Sequence, residues 1–129
     1  RSTLFPYTTL FRSGGNYTIT HTYSSQSMFR ITGGTLTLGS TNPDDNTLTF
    51  KKTSTAQYPL MVNYSNTLSQ INIEDNVVFD SVNNTYTSSS NYRRGSIINN
   101  HTGNVNITGG EFKNCSARNG GVIFTQSNY

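Results

Sequence analysis

The sequence predicts an all-β fold in which the chain winds through stacked parallel strands as a β-helix, or solenoid, and three observations point to it. The first is a pattern stated twice. It runs Ile71-Asn72-Ile73, Phe79, Val82 and Gly95-Ser96-Ile97-Ile98, then Val105-Asn106-Ile107, Phe112, Cys115 and Gly120-Gly121-Val122-Ile123. Copies this short cannot bury an apolar face alone and must stack on one another. The second is composition: only 12% of residues are charged, and Asn, Thr, Ser and Gly fill the polar positions. Asn and Ser compete with the backbone for hydrogen bonds and Thr is stiff at χ1, which disfavours helix and suits short strands joined by turns. The third is period-two alternation of apolar residues, the pattern of side chains on one face of a strand.

Taken in order, the chain opens with a segment that does not belong to this pattern. Arg1-Ser2-Thr3-Leu4-Phe5-Pro6-Tyr7-Thr8-Thr9-Leu10-Phe11-Arg12-Ser13 looks like the conceptual translation of a widely used sequencing adaptor, matched at every position. Residues 1–13 are therefore read as non-native and set aside, leaving 14–129 as the β-helix segment. The exclusion removes Arg1, Arg12 and no acid, so nine cationic against six acidic residues becomes seven against six. An adaptor also implies a broken reading frame. Because the chain stops at Tyr129 in mid-pattern, both ends are read as cuts that leave uncapped strand edges.

Within 14–129, Tyr17 and Ile19 belong to a truncated first coil. Double-apolar stations at Met28-Phe29, Met61-Val62, Ile97-Ile98 and Ile123-Phe124 then start successive coils, 33, 36 and 26 residues apart, giving about three to four coils in all. Each start is followed by an alternating pair predicted to point inward: Leu36 and Leu38, Ile71 and Ile73, Val105 and Ile107. The third station is Leu48 and Phe50, then Phe79 and Val82, then Phe112 and Cys115. Unequal spacing implies loops in the longer coils. Ser40 to Asn46 carries Pro43 among Asn and Asp, which is turn chemistry, and Asn83 to Arg94 is the larger excursion. Both are expected to protrude. Asn63 and Asn99, each just after a double-apolar station, predict a two-rung asparagine ladder.

At Phe112-Lys113-Asn114-Cys115 and Gly120-Gly121-Val122-Ile123 the chain resembles the repeats of chlamydial polymorphic outer-membrane proteins and similar bacterial surface β-helix proteins. Those repeats pair Phe-x-x-Asn with Gly-Gly-Ala and an aliphatic residue. Here Asn114 comes one place early and Val122 stands where Ala would be. The resemblance covers residues 95–129 by motif and the rest by pattern. It implies a right-handed parallel β-helix forming a structural or adhesive segment of a secreted or cell-surface bacterial protein, extracellular or outer membrane-associated. It also implies a longer parent chain whose further coils continue this one end to end, with no catalysis in the segment.

Charge and cysteine content narrow the partners. With the adaptor set aside the basic excess nearly vanishes, so neither nucleic acid nor an anionic membrane is expected. No run of eighteen apolar residues provides a transmembrane helix. Cys115 is the only cysteine, which excludes an intrachain disulfide and a multi-cysteine zinc site. It occupies the place of Val82 in the previous coil and is read as a small buried hydrophobe.

Candidate chemistry is sparse. Carbohydrate-active β-helix enzymes present acidic and basic residues from successive coils on one outer face, which draws attention to Glu74, Asp75, Asp80 and Glu111. By the repeat, Asp80 matches Lys113 and Glu74 matches Thr108, so no carboxylate pair stacks as glycoside hydrolysis requires. A fragment of a polysaccharide lyase or hydrolase remains the alternative function. Asn42, Asp44, Asp45 and Asn46 offer oxygen ligands of the kind calcium accepts, yet lack the glycine-aspartate nonapeptide of calcium-binding β-rolls. His21 and His101 carry no ligand spacing, and no metal or cofactor is expected. Six Asn-x-Ser/Thr sequons, at Asn16, Asn63, Asn83, Asn100, Asn106 and Asn114, are what the Asn, Ser and Thr content yields by chance. Partners are sought on the long loop. Tyr86 and Tyr92 would stack on a glycan as a non-catalytic binding module does, and Arg93 with Arg94 would hold a small anion or acidic glycan, so a host or environmental glycan or protein is the expected ligand.

Overall fold

The computed structural model describes residues 15–42, 44, 46–53, 57–64, 69–85 and 94–126. Among these the secondary structure is all strand, with no helix. The first seven strands are β1 (Tyr17–His21), β2 (Phe29–Ile31), β3 (Gly34–Leu38), β4 (Leu48–Lys52), β5 (Met61–Asn63), β6 (Ser69–Ile73) and β7 (Val77–Asp80). The remaining six are β8 (Asn83–Asn84), β9 (Ile98–Asn100), β10 (Asn104–Ile107), β11 (Glu111–Lys113), β12 (Ser116–Ala117) and β13 (Ile123–Thr125). They form four parallel sheets, ordered β1-β4-β7-β11, β2-β5-β9-β13, β3-β6-β10 and β8-β12. The chain visits the three larger sheets in rotation, and each strand pairs with its counterpart one round later.

The alternating pairs form as the residues dictate. Leu36, Ile71 and Val105 share one register position in the β3 sheet, and Leu38, Ile73 and Ile107 share another. Ile71 and Ile73 are fully buried, whereas Ile107, on the last strand of that sheet, is 39% exposed. The third station also superposes, on Phe rather than on Leu48. Ile19, Phe50, Phe79 and Phe112 align, and the rings of Phe79 stack on Phe50 at 5.5 Å and on Phe112 at 5.3 Å, within 16° of parallel. Offset-stacked rings add to the gain from burying their area.

The double-apolar stations lie one residue from the places expected for two of the four. Phe29, Met61, Ile98 and Ile123 align, so the working doublets are Met28-Phe29, Leu60-Met61, Ile97-Ile98 and Val122-Ile123. Both members of the middle doublets are buried completely. The first member sits at the corner where the backbone bends into the strand, and its amide continues the ladder: Leu60 donates to Ser96 O at 3.1 Å and Ile97 to Val122 O at 3.0 Å. Pro59-Leu60-Met61-Val62 offers three apolar residues in a row, and period alone does not say which of them turns outward.

The asparagine ladder shifts with that register. Asn63 pairs with Asn100, not with Asn99. Asn63 Nδ2 donates to Asn100 Oδ1 at 2.8 Å while Asn63 Oδ1 accepts from Ser69 Oγ, and Asn100 Nδ2 donates to Gly103 O at 3.1 Å. These buried amides are satisfied, as buried polar groups must be. Gly103 makes the arrangement possible: its φ is +97°, and a Cβ there would lie 2.4 Å from Ser69 O and 2.9 Å from Asn63 Nδ2. Left-handed backbone outside glycine falls at Asn76, Ser81 and Asn114 rather than in the ladder.

Of the two expected loops, the first shows exposed Asn42 and Asp44, with Pro43 and Asp45 outside the described residues. The second begins later than expected, because Asn83 and Asn84 form a strand paired with Ser116 and Ala117. Cys115 lies half-buried against the core with Val82.

Candidate functional site

In the β2 sheet, period two turns Phe29, Met61, Ile98 and Ile123 inward. The alternate positions, Arg30, Val62, Asn99 and Phe124, are aligned with one another on the other face. One step beyond Asn63 and Asn100 the ladder continues through Tyr64 N to Ile31 O and His101 N to Asn63 O, each at 3.0 Å. This sets Tyr64 beside His101, their rings meeting edge to face at 5.1 Å. The Arg30 guanidinium lies over the Tyr64 ring at 5.8 Å from its centroid. The Arg94 guanidinium lies over Phe124 at 4.7 Å, within the range of cation–π attraction.

Two guanidiniums, an imidazole and two rings thus share one face of one sheet. His101 is 6% exposed, and its pKa is lowered, first by burial, which penalises the imidazolium, and second by the positive field of Arg94. Arg30 and Tyr64 are exposed and Arg94 and Phe124 half-buried, so the cluster has an open rim around a buried imidazole. Asn99, between Val62 and Phe124, is buried completely.

The acidic residues lie elsewhere, on and beside the β1 sheet. Asp80 aligns with Lys113 as the repeat predicted. Its carboxylate binds Lys51 Nζ at 3.3 Å and accepts hydrogen bonds from Ser81 Oγ at 2.9 Å and Asn114 Nδ2 at 3.2 Å. The Asn114 bond, then those of Ser81 and Lys51, hold its pKa below the usual carboxylate range. Glu111 pairs with Lys113 at 2.7 Å. Asp75 and Glu111 line an open depression of about 410 Å³ together with Thr47, Asn76, Val78 and Gly110. That juxtaposition was not expected from the sequence, because Asp75 lies on a corner rather than in a strand.

Among the calcium candidates, Asn42 is engaged with its own turn, accepting from Asp44 N at Oδ1 and from Asn76 Nδ2 at its carbonyl. Among the described residues no three His, Cys, Asp or Glu side chains converge on a point that could hold a metal. Of the loop residues singled out for ligand contact, Arg94 takes its place in the cluster over Phe124. Tyr86, Tyr92 and Arg93 lie outside the described residues. The Cys115 thiol is pushed up in pKa, mainly by burial.

Sequence reasoning missed Arg30 and Tyr64 as site residues, set His101 aside for want of ligand spacing and read Phe124 as a member of a double-apolar station. Their signal was present: Arg30 and Phe124 fall at outward alternate positions of doublet strands, and Tyr64 and His101 at the next such position, one residue past the strand ends. Placing them required the register that the sequence left one residue in error. A second unexpected feature is internal. His21 and Lys52 align on β1 and β4 and are 6% and 7% exposed. Lys52 Nζ donates to Tyr58 O and His21 Nε2 lies 2.9 Å from Gln26 O. Burial depresses the Lys52 pKa to about 8, and burial is also the main cause of the lowered His21 pKa.

No protein family, curated protein or solved structure matches this chain.

Proposed function

We propose that this chain is a segment of a right-handed parallel β-helix that serves a structural or adhesive role in a secreted or cell-surface bacterial protein. The observation that carries the reading is the rotation of the chain through three parallel sheets, each strand in register with its counterpart one round later. Stacking of that kind supplies a rigid column whose length grows with the number of rounds, while its outer faces remain available to ligands. The right hand follows from the near-universal handedness of parallel crossover connections. The repeat resemblance at Phe112-Lys113-Asn114-Cys115 and Gly120-Gly121-Val122-Ile123 supports a place on the bacterial surface.

The test is to recover the uninterrupted gene, raise antibodies to residues 14–129 and fractionate the source cells. Signal in the surface or culture-medium fraction, removed from intact cells by added protease, is the expected result. Retention in the cytosol would end the surface-protein reading. Electron microscopy of the full-length protein is expected to show a rod, and a compact globule would refute the column.

A further inference from the structure

We infer that the open rim of the cluster on the outer side of the β2 sheet is a binding surface for an acidic polysaccharide that carries one carboxylate per sugar, with Arg30 and Arg94 as the anion contacts and Tyr64 and Phe124 as stacking surfaces. The inference rests on the surface-protein reading for its biological setting, but its physical basis is the cluster itself.

Charge complementarity is the first argument. Arg30 stands at an outward position of this sheet and the Arg94 guanidinium lies over the outward ring of Phe124, and none of the aligned positions carries an acid. The described acids at Glu74, Asp75, Asp80 and Glu111 belong to the β1 sheet and to the corner that leads into it. On the β1 side the acids are matched by cations, Asp80 by Lys51 and Glu111 by Lys113, whereas the β2 side presents its arginines with no acid aligned among them, so an anion is drawn to that side.

Spacing separates a polysaccharide from a nucleic acid. Arg30 stands on β2, and Arg94 stands over Phe124 on β13, three strand positions away. At about 4.8 Å per position that is about 14 Å. Duplex DNA presents one phosphate charge per about 1.7 Å of axis and is held by dense Lys and Arg, whereas two guanidiniums this far apart suit a polymer charged once per sugar, in which carboxylates a few sugars apart reach both. The rings suit it too. Tyr64 is 39% exposed between Arg30 and His101, and aromatic rings pack against the apolar faces of sugars while guanidinium forks bind carboxylates in two-point fashion.

The probe is polygalacturonate, titrated calorimetrically into the full chain, with dextran as the neutral polymer and a DNA duplex as the dense polyanion. Polygalacturonate is expected to bind and to weaken at least threefold when salt rises from 50 to 200 mM, since roughly two exposed ion contacts are screened. Arg30→Gln is expected to weaken binding at least fivefold, and Lys113→Gln, on the β1 sheet, to leave it within twofold. Arg94 packs on Phe124, so Arg94→Gln is read only if its circular dichroism matches the parent; Arg30, being exposed, keeps the test decisive alone. The inference is overturned if polygalacturonate does not bind, if dextran or DNA binds as tightly, or if Lys113→Gln is as damaging as Arg30→Gln. Those failures leave the fractionation result untouched, so the ligand and the surface location stand or fall separately.

Discussion

Lys52 is the residue whose surroundings conflict most with its chemistry: an amine 7% exposed beside an aligned, buried His21. Its stem packs readily, but its ammonium does not, and Tyr58 O is the partner that Nζ reaches. With a folded pKa of about 8 against 10.5 when exposed, the unfolded chain holds more protons between those values. Stability therefore rises as pH rises through that window, and at neutral pH the buried charge costs about 2–3 kcal/mol. Lys52→Met is expected to raise Tm at pH 7 and to flatten the dependence between pH 8 and 10.5; a variant less stable than the parent at pH 7 would contradict the argument. His21 acts in the same direction at lower pH, its contribution being lost as pH falls below 6.5. Asn63 presents the opposite case, a buried polar group with every bond made. Asn63→Leu is expected to destabilise by about 1–3 kcal/mol because Asn100 and Ser69 lose their partner. Adding Asn100→Leu should recover part of that loss, and denaturant melts of the two single variants and the double variant measure it. Lys52 does not announce itself in sequence, where the second Lys after Phe50 reads as a solvated strand-end residue; Asn63 does, as a ladder asparagine, with Asn100 rather than Asn99 as the partner the register supplies. Cys115 was legible because its counterpart one round earlier is Val82.

At the scale of the element, the β3, β6 and β10 strands were readable to the residue. Strict alternation in Gly34-Thr35-Leu36-Thr37-Leu38 and Gln70-Ile71-Asn72-Ile73 fixes which side chains face inward, and a one-residue slip would expose all of them. The doublet strands were less legible because both members of each doublet are interior, one at the corner and one in the strand, so alternation breaks where register must be judged. The stacked rings give the firmest expectation for an element. Phe79 lies between Phe50 and Phe112 and is fully buried, so Phe79→Ala is expected to cost about 3–5 kcal/mol. Phe112 is only half-buried, and Phe112→Ala should cost less than half as much. Equal losses at the two positions, read from urea midpoints at constant m, would refute the order of stacking.

Across the whole molecule, protection should grade along the stack rather than along the chain. β4, β5, β6, β7 and β9 are each paired on both sides, whereas β1, β2, β3, β10, β11 and β13 are paired on one. Amide exchange is therefore expected to be slowest in the first group, and a pattern that followed sequence position instead would contradict the sheet assignment. That the described residues form strands in parallel sheets and no helix could be read from composition and recurrence, both properties of the chain as a string. The ligand face could not, because Arg30, Tyr64, His101 and Phe124 are brought together only by three separate strand pairings.

The same pairings bear on how such a chain can change length. Between matching positions, 37 residues lie from Met61 to Ile98 and 25 from Ile98 to Ile123, yet the strands meet as if the two intervals were equal. The pairing is indifferent to the surplus, which falls between the aligned positions. Length added between paired positions leaves the register of the strands as it is, so the number of residues per round and the packing of the interior can diversify on independent schedules.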